Sequence, residues 1–409
     1  MQTQFTLSKD EVAKLLSFES HGKDIISNST NIFVLNKEQN QLDLLFLGAD
    51  GDLSAKYQLE IANLETDVPE GQLNYYLANV SEFAVTANKV IKGADSITIR
   101  VMGDDTTATN IKNEVTKTEI SIVNHDKLTD NKVKRIIQSF SDLNNCFIDE
   151  TYVITPTVEF ISIMETICRS MRASGYELNS AMIRHNIIRY CDPQGILTYT
   201  LKDDICPYDK DIYIQDSLVK LLSSFIKDGI TLTFDKTNTY AKIEIPGRLF
   251  IIIALSENIF QYPTEEELAI VNPDPASMIK LKVKKSDLLE AIGTFDGVFR
   301  AELWKWCNLV FDASESYLSE SKVYLSHMDS NAMASNYLPV QVIERTDTNE
   351  TCKFLIGSSY VKDMLNRMSD DEVEMSFSSG EIGVPHGTGF ILSDSTLKVT
   401  CIKIINSDA

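Results

Sequence analysis

The sequence is poor in the residue patterns that usually carry catalysis. Its seven cysteines and five histidines are scattered, so it has neither a disulfide framework nor a metal-ligand spacing. An odd number of dispersed cysteines favours a reducing compartment, where buried thiols behave as small apolar side chains. The 17 glycines form neither a phosphate-binding loop nor a nucleophile elbow. The sequence therefore gives no support to an enzyme, and we expect no cofactor and no metal.

Long apolar runs are missing as well. The longest, Leu249–Leu255, has the length of a strand and not of a membrane span. Met1–Lys9 has neither a basic start nor an apolar stretch, so we expect no signal peptide. These features predict a protein that acts in the cytoplasm.

Positive charge is in short supply. The chain has 38 Lys and Arg against 59 Asp and Glu, which gives a formal net charge of −21. As a sum, this charge argues against nucleic-acid binding, because a phosphate backbone would be repelled. The sum says nothing about where the basic side chains lie.

What the sequence does contain is a repeated unit of strand, short helix and strand. The clearest copy is Cys352–Phe377, in which Val361, Met364, Leu365 and Met368 have the spacing of one helix face. Six copies occur as three pairs, and each helix is followed by one or more further strands. The predicted helices are Lys9–Glu19, Ser81–Ile91 with Ser81 as N-cap, one from about Thr157, Asp216–Lys227, one from Ser286, and one after Ser359.

This order predicts an α+β fold of three tandem domains, each a two-fold pseudo-repeat of helices on an antiparallel sheet. We place the domains at residues 1–148, 149–262 and 277–409, with a linker at 263–276. The acidic run Glu265–Glu267 in that linker indicates a solvated segment. The alternative is an unrelated α+β protein, which would also contain short amphipathic helices but has no reason to repeat their order.

Basic side chains recur on the helix faces that lie away from the apolar stripe. At about 100° per residue, Lys220 falls almost opposite Leu218 and Leu222. The fifth helix is an exception, since Glu290 takes its outward position. Either these residues form an ordinary solvated face, or the helices share one side of an assembly and make that side basic. The candidate residues are Lys14, Lys89, Lys92, Arg169, Arg172, Lys220, Lys227, Lys362 and Arg367.

Four stretches resemble one known family. Lys280–Phe295 and Phe354–Phe377 are similar to the two halves of the third domain of the bacterial-type DNA polymerase sliding clamp, the β-subunit family. Leu397–Ile404 resembles the terminal strand of that family, and Phe260–Pro263 resembles its link between the second and third domains. The acidity and the divergence favour a phage member.

The resemblance implies a head-to-tail homodimer that closes into a ring of clamp domains. Duplex DNA would pass through the ring without sequence-specific contacts, and the further partners would be DNA polymerase and a clamp loader. The place of action would be the cytoplasm of a bacterium or of a phage-infected bacterial cell. By position in the family, Lys23 joins the candidate DNA-binding residues.

The resemblance also implies a pocket for partner peptides between the second and third domains. Here Thr400–Ile404 replaces the usual Met-Pro-Met-Arg-Leu ending of the family. The alternative for each residue is a place in the ordinary core. The candidate residues are Cys191, Asp192, Gly195, Leu197, Tyr262, Pro263, Ile382, Val384, Thr400, Cys401 and Ile402.

Two other functional classes remain open. The acidic composition and the lack of motifs also fit a viral structural or assembly scaffold built from repeated α+β domains. A hydrolase would require a clustered set of acidic side chains or a metal site, and the sequence indicates neither.

Overall fold

The computed structural model describes most of the chain. The described residues are 2–27, 29–48, 53–67, 74–77, 79–102, 108–123, 130–148, 151–174, 180–192, 195–225, 229–255, 262, 264–298, 306–312, 322–328, 333–346, 351–378 and 389–402. The chain divides into two compact units, residues 1–165 with 215–258, and residues 166–214 with 259–409. The residues of the predicted second domain therefore contribute to both units, and the predicted boundaries stay a prediction.

The helices and strands alternate in the predicted order. The helices among the described residues are α1 (Lys9–His21), α2 (Lys23–Ser27), α3 (Val80–Val90), α4 (Asp130–Asn145), α5 (Val158–Ser174), α6 (Asp216–Phe225), α7 (Glu265–Val271), α8 (Lys285–Val298) and α9 (Ser358–Arg367). None of them combines the length and the apolar composition that a membrane span needs.

The strands up to residue 254 are β1 (Gln2–Ser8), β2 (Ser29–Asn36), β3 (Gln41–Gly48), β4 (Leu53–Glu60), β5 (Ala62–Thr66), β6 (Asn74–Leu77), β7 (Ser96–Met102), β8 (Ala108–Asn113), β9 (Thr118–Val123), β10 (Thr151–Ile154), β11 (Ser180–Arg184), β12 (Ile187–Asp192), β13 (Gly195–Thr200), β14 (Ile212–Gln215), β15 (Thr231–Asp235), β16 (Tyr240–Ile245) and β17 (Leu249–Ala254). The later strands are β18 (Met278–Lys284), β19 (Trp306–Asp312), β20 (Lys322–Met328), β21 (Met333–Leu338), β22 (Val340–Arg345), β23 (Thr351–Gly357), β24 (Glu372–Ser378), β25 (Gly389–Ser393) and β26 (Leu397–Ile402).

Each unit contains two antiparallel sheets. The first unit has a sheet of order β5-β1-β7-β8-β9 and a longer sheet of order β10-β15-β16-β17-β4-β3-β2-β6. The second unit has a sheet of order β14-β11-β12-β13-β26-β25-β24-β18-β22 and a shorter sheet of order β21-β20-β19-β23. The longer sheet of each unit is continuous across a predicted domain boundary.

The same strand arrangement occurs three times along the chain. The order β4-β3-β2-β6 returns as β13-β12-β11-β14 and as β21-β20-β19-β23. The order β5-β1-β7-β8-β9 returns as β22-β18-β24-β25-β26, and its central part returns as β10-β15-β16-β17. This recurrence confirms the predicted fold class of repeated halves, each with helices on an antiparallel sheet.

Apolar stripes and caps explain why the helices form where they do. The four predicted apolar residues of α9 are buried, each with 3% exposure or less. Such burial stabilises by about 1.5–3 kcal/mol per side chain relative to leaving it exposed. Ser8 caps α1 by accepting a hydrogen bond from the Glu11 amide. The predicted cap of α3 was wrong, because Asn79 and not Ser81 accepts from the Glu82 amide.

Besides the five-residue helix α2, which the sequence predicts as a loop, two helices were not predicted. The sequence pattern predicts that the basic stretch His125–Arg135 leads away from the first domain without a helix, but α4 begins within it at Asp130. The partly buried Ile137 and Phe140 of α4 pack against a cluster that includes Ile32 and Val34 of β2, which supplies the stability that the polar composition of α4 lacks.

The second unpredicted helix, α7, lies in the predicted linker. Thr264 and Glu267 form a reciprocal capping box at its start, so the acidic run Glu265–Glu267 is the first turn of a helix and not a solvated coil. Its acidic side chains suit the positive end of the helix dipole.

Four strands were also missed, and one was extended too far. The missed strands β5, β8, β21 and β22 lack the simple apolar alternation that sequence patterns detect. The sequence predicts one strand near Met182–Cys191, but it is divided into β11 and β12, because His185 adopts a left-handed backbone with φ of 54° and makes a turn. The turn brings the two halves into antiparallel pairing.

Candidate functional site

Besides Lys14 and Lys23, four of the predicted basic residues are exposed on or beside the helices. Lys89 lies in the last turn of α3, and Lys92 follows that helix. Arg169 of α5 is exposed and donates from Nη2 to the Thr166 hydroxyl at 3.3 Å. Lys220 of α6 is also exposed. These side chains have the solvent access that a phosphate contact requires.

Lys14 is exposed as predicted, with 47% of its side chain accessible, but it is also ion-paired. Its Nζ lies 2.7 Å from Oε1 of Glu11, a carboxylate with a side chain only 5% exposed. Oε2 of Glu11 also lies 2.8 Å from Nη1 of Arg248 and accepts from the Glu60 amide at 3.0 Å. Burial raises the pKa of Glu11, but the hydrogen bonds from Arg248, Lys14 and the Glu60 amide outweigh it and leave that pKa lowered. Lys14 is therefore part of a structural ion-pair network.

The Arg367 side chain is mostly buried. Its side chain is 16% exposed and forms an ion pair with Asp363 on the same helix. Burial lowers the pKa of Arg367, but the neighbouring phenol of Tyr199 on β13 and the charge of Asp363 raise it overall. This position suits a structural tie between α9 and β13 better than contact with a polyanion.

The remaining basic candidates divide into three groups. Lys23 is exposed and begins the short helix α2, where the prediction expected a loop. Lys362 is half-buried on α9. Arg172 belongs to α5, but its side chain is outside the described set, and Lys227 lies outside the described residues altogether.

Acidic side chains are present on the same helices. Asp10, Glu82 and Asp216 lie in first turns, and the exposed bases Lys89 and Lys92 lie at the opposite end of α3. This distribution matches the helix dipole, which favours acids at the start and bases at the end of a helix. The dipole therefore accounts for part of the pattern without any ligand.

The predicted partner site is assembled by three neighbouring strands of the second unit. Along one row of backbone partners, Asp192 of β12 faces Gly195 of β13, which faces Cys401 of β26. In the next row, Cys191 faces Ile196, which faces Thr400. Residues about 200 positions apart in the chain thus become neighbours.

Tyr262 joins this site from outside the sheet. Its hydroxyl donates to the Ser180 carbonyl of β11 at 2.8 Å, and its ring stacks on Tyr213 of β14 with centroids 6.2 Å apart. Burial raises the pKa of the Tyr262 phenol, so the hydroxyl stays protonated as a donor. Ser180 and Tyr213 were not predicted, although their positions next to predicted strands could have suggested them.

Not every predicted pocket residue offers a contact surface. Leu197 is fully buried and Gly195 and Thr400 are buried, which suits core positions in the sheet. Cys191 is half-buried. Asp192, Cys401 and Ile402 have described backbone only, and Pro263, Ile382 and Val384 lie outside the described residues.

Comparison with solved structures assigns this architecture to a class. The chain has the fold of bacterial DNA polymerase sliding clamps. It superimposes on the sliding clamp of Bacillus subtilis with a TM-score of 0.61 and 15% sequence identity, covering 99% of this chain and 100% of that one. The DNA polymerase III beta subunit of Thermotoga maritima gives a TM-score of 0.57 at 12% identity, with 99% and 100% coverage. The beta subunit of Borrelia burgdorferi gives 0.56 at 13% identity, with 98% and 99% coverage.

Sequence comparison alone does not reach this result. No family model matches the chain, and no curated protein matches it. The likeness therefore lies in the fold, whereas the residues that would contact DNA or partners have to be argued from this chain itself.

Proposed function

We propose that this chain is a DNA sliding clamp, a non-catalytic processivity factor of DNA replication. Two copies close into a ring around duplex DNA, and the ring tethers DNA polymerase and other partners. The proposal rests on one observation. The chain forms the same antiparallel junction between two strands twice, and the two strands that could form a third such junction lie at the edges of their sheets.

The first junction joins β4 to β17, and the second joins β13 to β26. Tyr57 faces Leu249 at the first, and Tyr199 faces Leu397 at the second. The Gln58 amide donates to the Arg248 carbonyl at 2.8 Å, and the Thr200 amide donates to the Thr396 carbonyl at 2.9 Å. The two junctions thus share one register.

In the repeated strand order, β21 occupies the position of β4 and β13, and β9 occupies the position of β17 and β26. Both β9 and β21 are outermost among the described strands of their sheets. An unpaired strand edge tends to pair with another chain. Pairing of β9 from one copy with β21 of another is heterologous, so it closes a ring when the rotation between copies allows closure.

Backbone partners fix the expected register of this closing junction. In the first unit one row of partners runs Tyr76–Phe33–Leu44–Tyr57–Leu249. Leu249 is the first residue of β17, and Tyr76 lies four residues before the start of α3.

The corresponding row in the second unit runs Phe354–Leu309–Leu325–Asn336. Phe354 lies four residues before the start of α9, so the two rows match. Asn336 donates to the Ala291 carbonyl of α8 at 3.0 Å, much as the Tyr57 hydroxyl donates to the Lys14 carbonyl of α1 at 3.1 Å. The row therefore continues to Thr118, the first residue of β9, in a second copy.

The surface of β9 fits an interface. Ile120 is 38% exposed and Val123 is 46% exposed, although both are aliphatic. Covering such side chains removes apolar area from water, at about 25 cal/mol per Å². The edge therefore offers a hydrophobic gain in addition to backbone hydrogen bonds.

DNA would be held by charge and topology together. The exposed Lys89, Lys92, Arg169 and Lys220 can meet phosphates, and Lys23, Arg172, Lys227 and Lys362 stay as further proposals. Phosphate contacts position a protein on DNA but carry no sequence information, which suits a ring that slides. We give Lys14 and Arg367 a structural role first, because each is already ion-paired.

Partner peptides would bind beside β12, β13 and β26. The pairing of these strands brings Cys191 and Thr400 into one row, and Tyr262 lies against the neighbouring β11. The bound partner would be DNA polymerase or a clamp loader.

Closing the ring covalently around DNA tests the function without a loader. Glu119→Cys and Ser335→Cys place one cysteine on each closing strand, and oxidation follows mixing with nicked circular or linear DNA. We expect a complex on circles that resists high salt and is released when the DNA is cut. Salt weakens phosphate contacts but cannot open a topological link.

Controls separate this outcome from ordinary binding. The single variant Glu119→Cys should lose salt-resistant retention on circles. Equal retention on circular and linear DNA, or none on circles after complete cross-linking, would contradict the clamp. A large assembly in place of a dimer of 45.9 kDa chains would favour the scaffold alternative.

A further inference from the structure

The turn between β11 and β12 holds a histidine between two carboxylates. His185 Nδ1 lies 3.1 Å from Oδ2 of Asp204, and His185 Nε2 lies 3.3 Å from Oδ1 of Asp209. Both acids belong to the irregular segment 201–211, which runs from the end of β13 to the start of β14. The two ring nitrogens thus connect the turn to two points of that segment.

Backbone hydrogen bonds make the same connection. The His185 amide donates to the Cys206 carbonyl at 2.9 Å, and the Leu201 amide donates to the Asn186 carbonyl at 2.7 Å. The Asn186 side-chain amide also donates to the Leu201 carbonyl at 3.1 Å. The turn and the segment are therefore held together at both ends of the contact.

Only the charged form of the imidazole can donate a hydrogen bond to both carboxylates. A neutral imidazole has one N–H donor and one acceptor nitrogen, whereas an imidazolium has two donors. An ionised carboxylate only accepts, so both contacts can be hydrogen bonds only when His185 is protonated. Loss of the proton turns one contact into a meeting of two acceptors.

Arg184 shares Asp209 with His185 and stays charged when the imidazole is neutral. Its Nη2 lies 3.6 Å from Asp209 and its Nη1 lies 4.0 Å from Asp211. The contact that depends on the His185 proton alone is therefore the one to Asp204. The buried thiol of Cys206 has its pKa raised to about 11 by desolvation, so it stays uncharged near neutral pH. Among the described residues, no three His, Cys, Asp or Glu side chains are arranged to hold a metal ion.

We propose that His185 is a proton-operated latch that holds segment 201–211 against the β11–β12 turn. The latch is closed when the imidazole is charged and loosens when it loses its proton. The segment leads directly into β14, where Tyr213 stacks on Tyr262. Loosening therefore reaches the strand beside the proposed partner site, although the latch itself does not depend on the clamp function.

The direction of the pH dependence follows from the contacts. Hydrogen bonds to Asp204 and then to Asp209 raise the pKa of His185 above its ordinary value. A raised pKa in the folded state stabilises the contact fully below the unfolded-state pKa of about 6.5 and loses that stabilisation as pH rises through the folded-state pKa. The hydrogen bond from His185 correspondingly lowers the pKa of Asp209.

Hydrogen exchange with mass spectrometry tests the latch in the full chain. After correction for intrinsic rates, we expect segment 201–211 to lose protection between about pH 6 and about pH 8.5, the range in which histidine titrates. In His185→Asn this change should disappear, and Asn tolerates the left-handed backbone at this position. The control His21→Gln, at an exposed histidine whose ring contacts the Ser17 hydroxyl, should keep the wild-type change.

A second measurement keeps the test decisive if His185→Asn is unstable. NMR of the imidazole signals should give His185 a pKa above the ordinary histidine value of about 6.5, and Asp204→Asn with Asp209→Asn should lower it. The latch is refuted if His185 titrates at or below about 6.5, or if the wild type and His185→Asn lose protection equally.

Discussion

The two internal junctions have the same backbone register but different side-chain chemistry. At the first, the buried Glu11–Arg248 ion pair is accompanied by Phe18 stacked on Tyr57, with centroids 4.3 Å apart. At the second, Tyr199 takes the place of Tyr57 and meets Arg367 of α9. The ion pair of Arg367 is with Asp363 on the same helix and does not join a strand turn to a helix.

This difference shows which part of a junction is essential. Backbone pairing sets the geometry in both cases, because the hydrogen bonds of an antiparallel ladder do not depend on residue type. The surrounding side chains differ: the first junction has an ion pair and stacked aromatic rings, and the second has one arginine beside a tyrosine. The proposed closing junction has Asn336 in the place of Tyr57 and Tyr199, and Thr118 in the place of Leu249 and Leu397. It needs the same backbone register as the other two junctions but not the same side chains.

The largest effect is expected from breaking the ion pair of the first junction. Glu11→Gln leaves Arg248 without its charged partner in a site where its side chain is 19% exposed. We expect a loss of about 3 kcal/mol of unfolding free energy, since removal of one member of a buried pair leaves an uncompensated charge. Urea unfolding measures it, with Glu38→Gln in the exposed β2–β3 turn as the control.

The same variant should change the acid sensitivity. The lowered pKa of Glu11 stabilises the fold above the unfolded-state value and loses this stabilisation as pH falls through the folded-state pKa. Glu11→Gln should therefore be less sensitive to acid than the wild type. An equal dependence on pH in both proteins would show that the ion pair does not stabilise the first junction.

A smaller effect is expected at the second junction. Arg367→Met keeps the length of the side chain and removes its contacts with Tyr199 and Asp363. We expect a loss of about 1 kcal/mol in urea unfolding, because Arg367 is mostly buried but its ion-pair partner Asp363 is exposed. Lys398→Met, at an exposed position of β26, is the matched control.

This variant also decides between two roles for Arg367. A structural tie predicts lower stability with unchanged retention of the closed ring on DNA at low temperature. Weaker DNA retention with unchanged stability would return Arg367 to the DNA surface and remove the second half of the comparison.

The sequence was informative where the signal is local. The six helices were predicted because apolar residues recur on one helix face, in the full i, i+3, i+4 and i+7 pattern in α9 and in a weaker form in α1 and α3. Helix α4 was missed because its composition is polar and its support comes from β2. The strand β21 was missed because Ser335 and Asn336 break the apolar alternation.

The site was less predictable because its contacts are long-range. Lys14 and Arg367 both satisfied the helix-face pattern, yet their partners could not be read from spacing. Arg248 lies 237 residues from Glu11, and Tyr199 lies on a different repeat from Arg367. Cys191 and Thr400 were placed in one site only by the family resemblance, since nothing in their local sequence pairs them.

The most direct test of the account is a disulfide across the closing junction. The register places Glu119 of one copy opposite Ser335 of the other, a pair whose Cα atoms in such a ladder are about 5.5 Å apart and within disulfide range. We expect oxidised Glu119→Cys with Ser335→Cys to form a covalently closed dimer in high yield. The shifted pair Glu119→Cys with Tyr337→Cys should cross-link poorly. No cross-link at the first pair, or an equal yield at the shifted pair, would contradict a closing junction in the register of the other two.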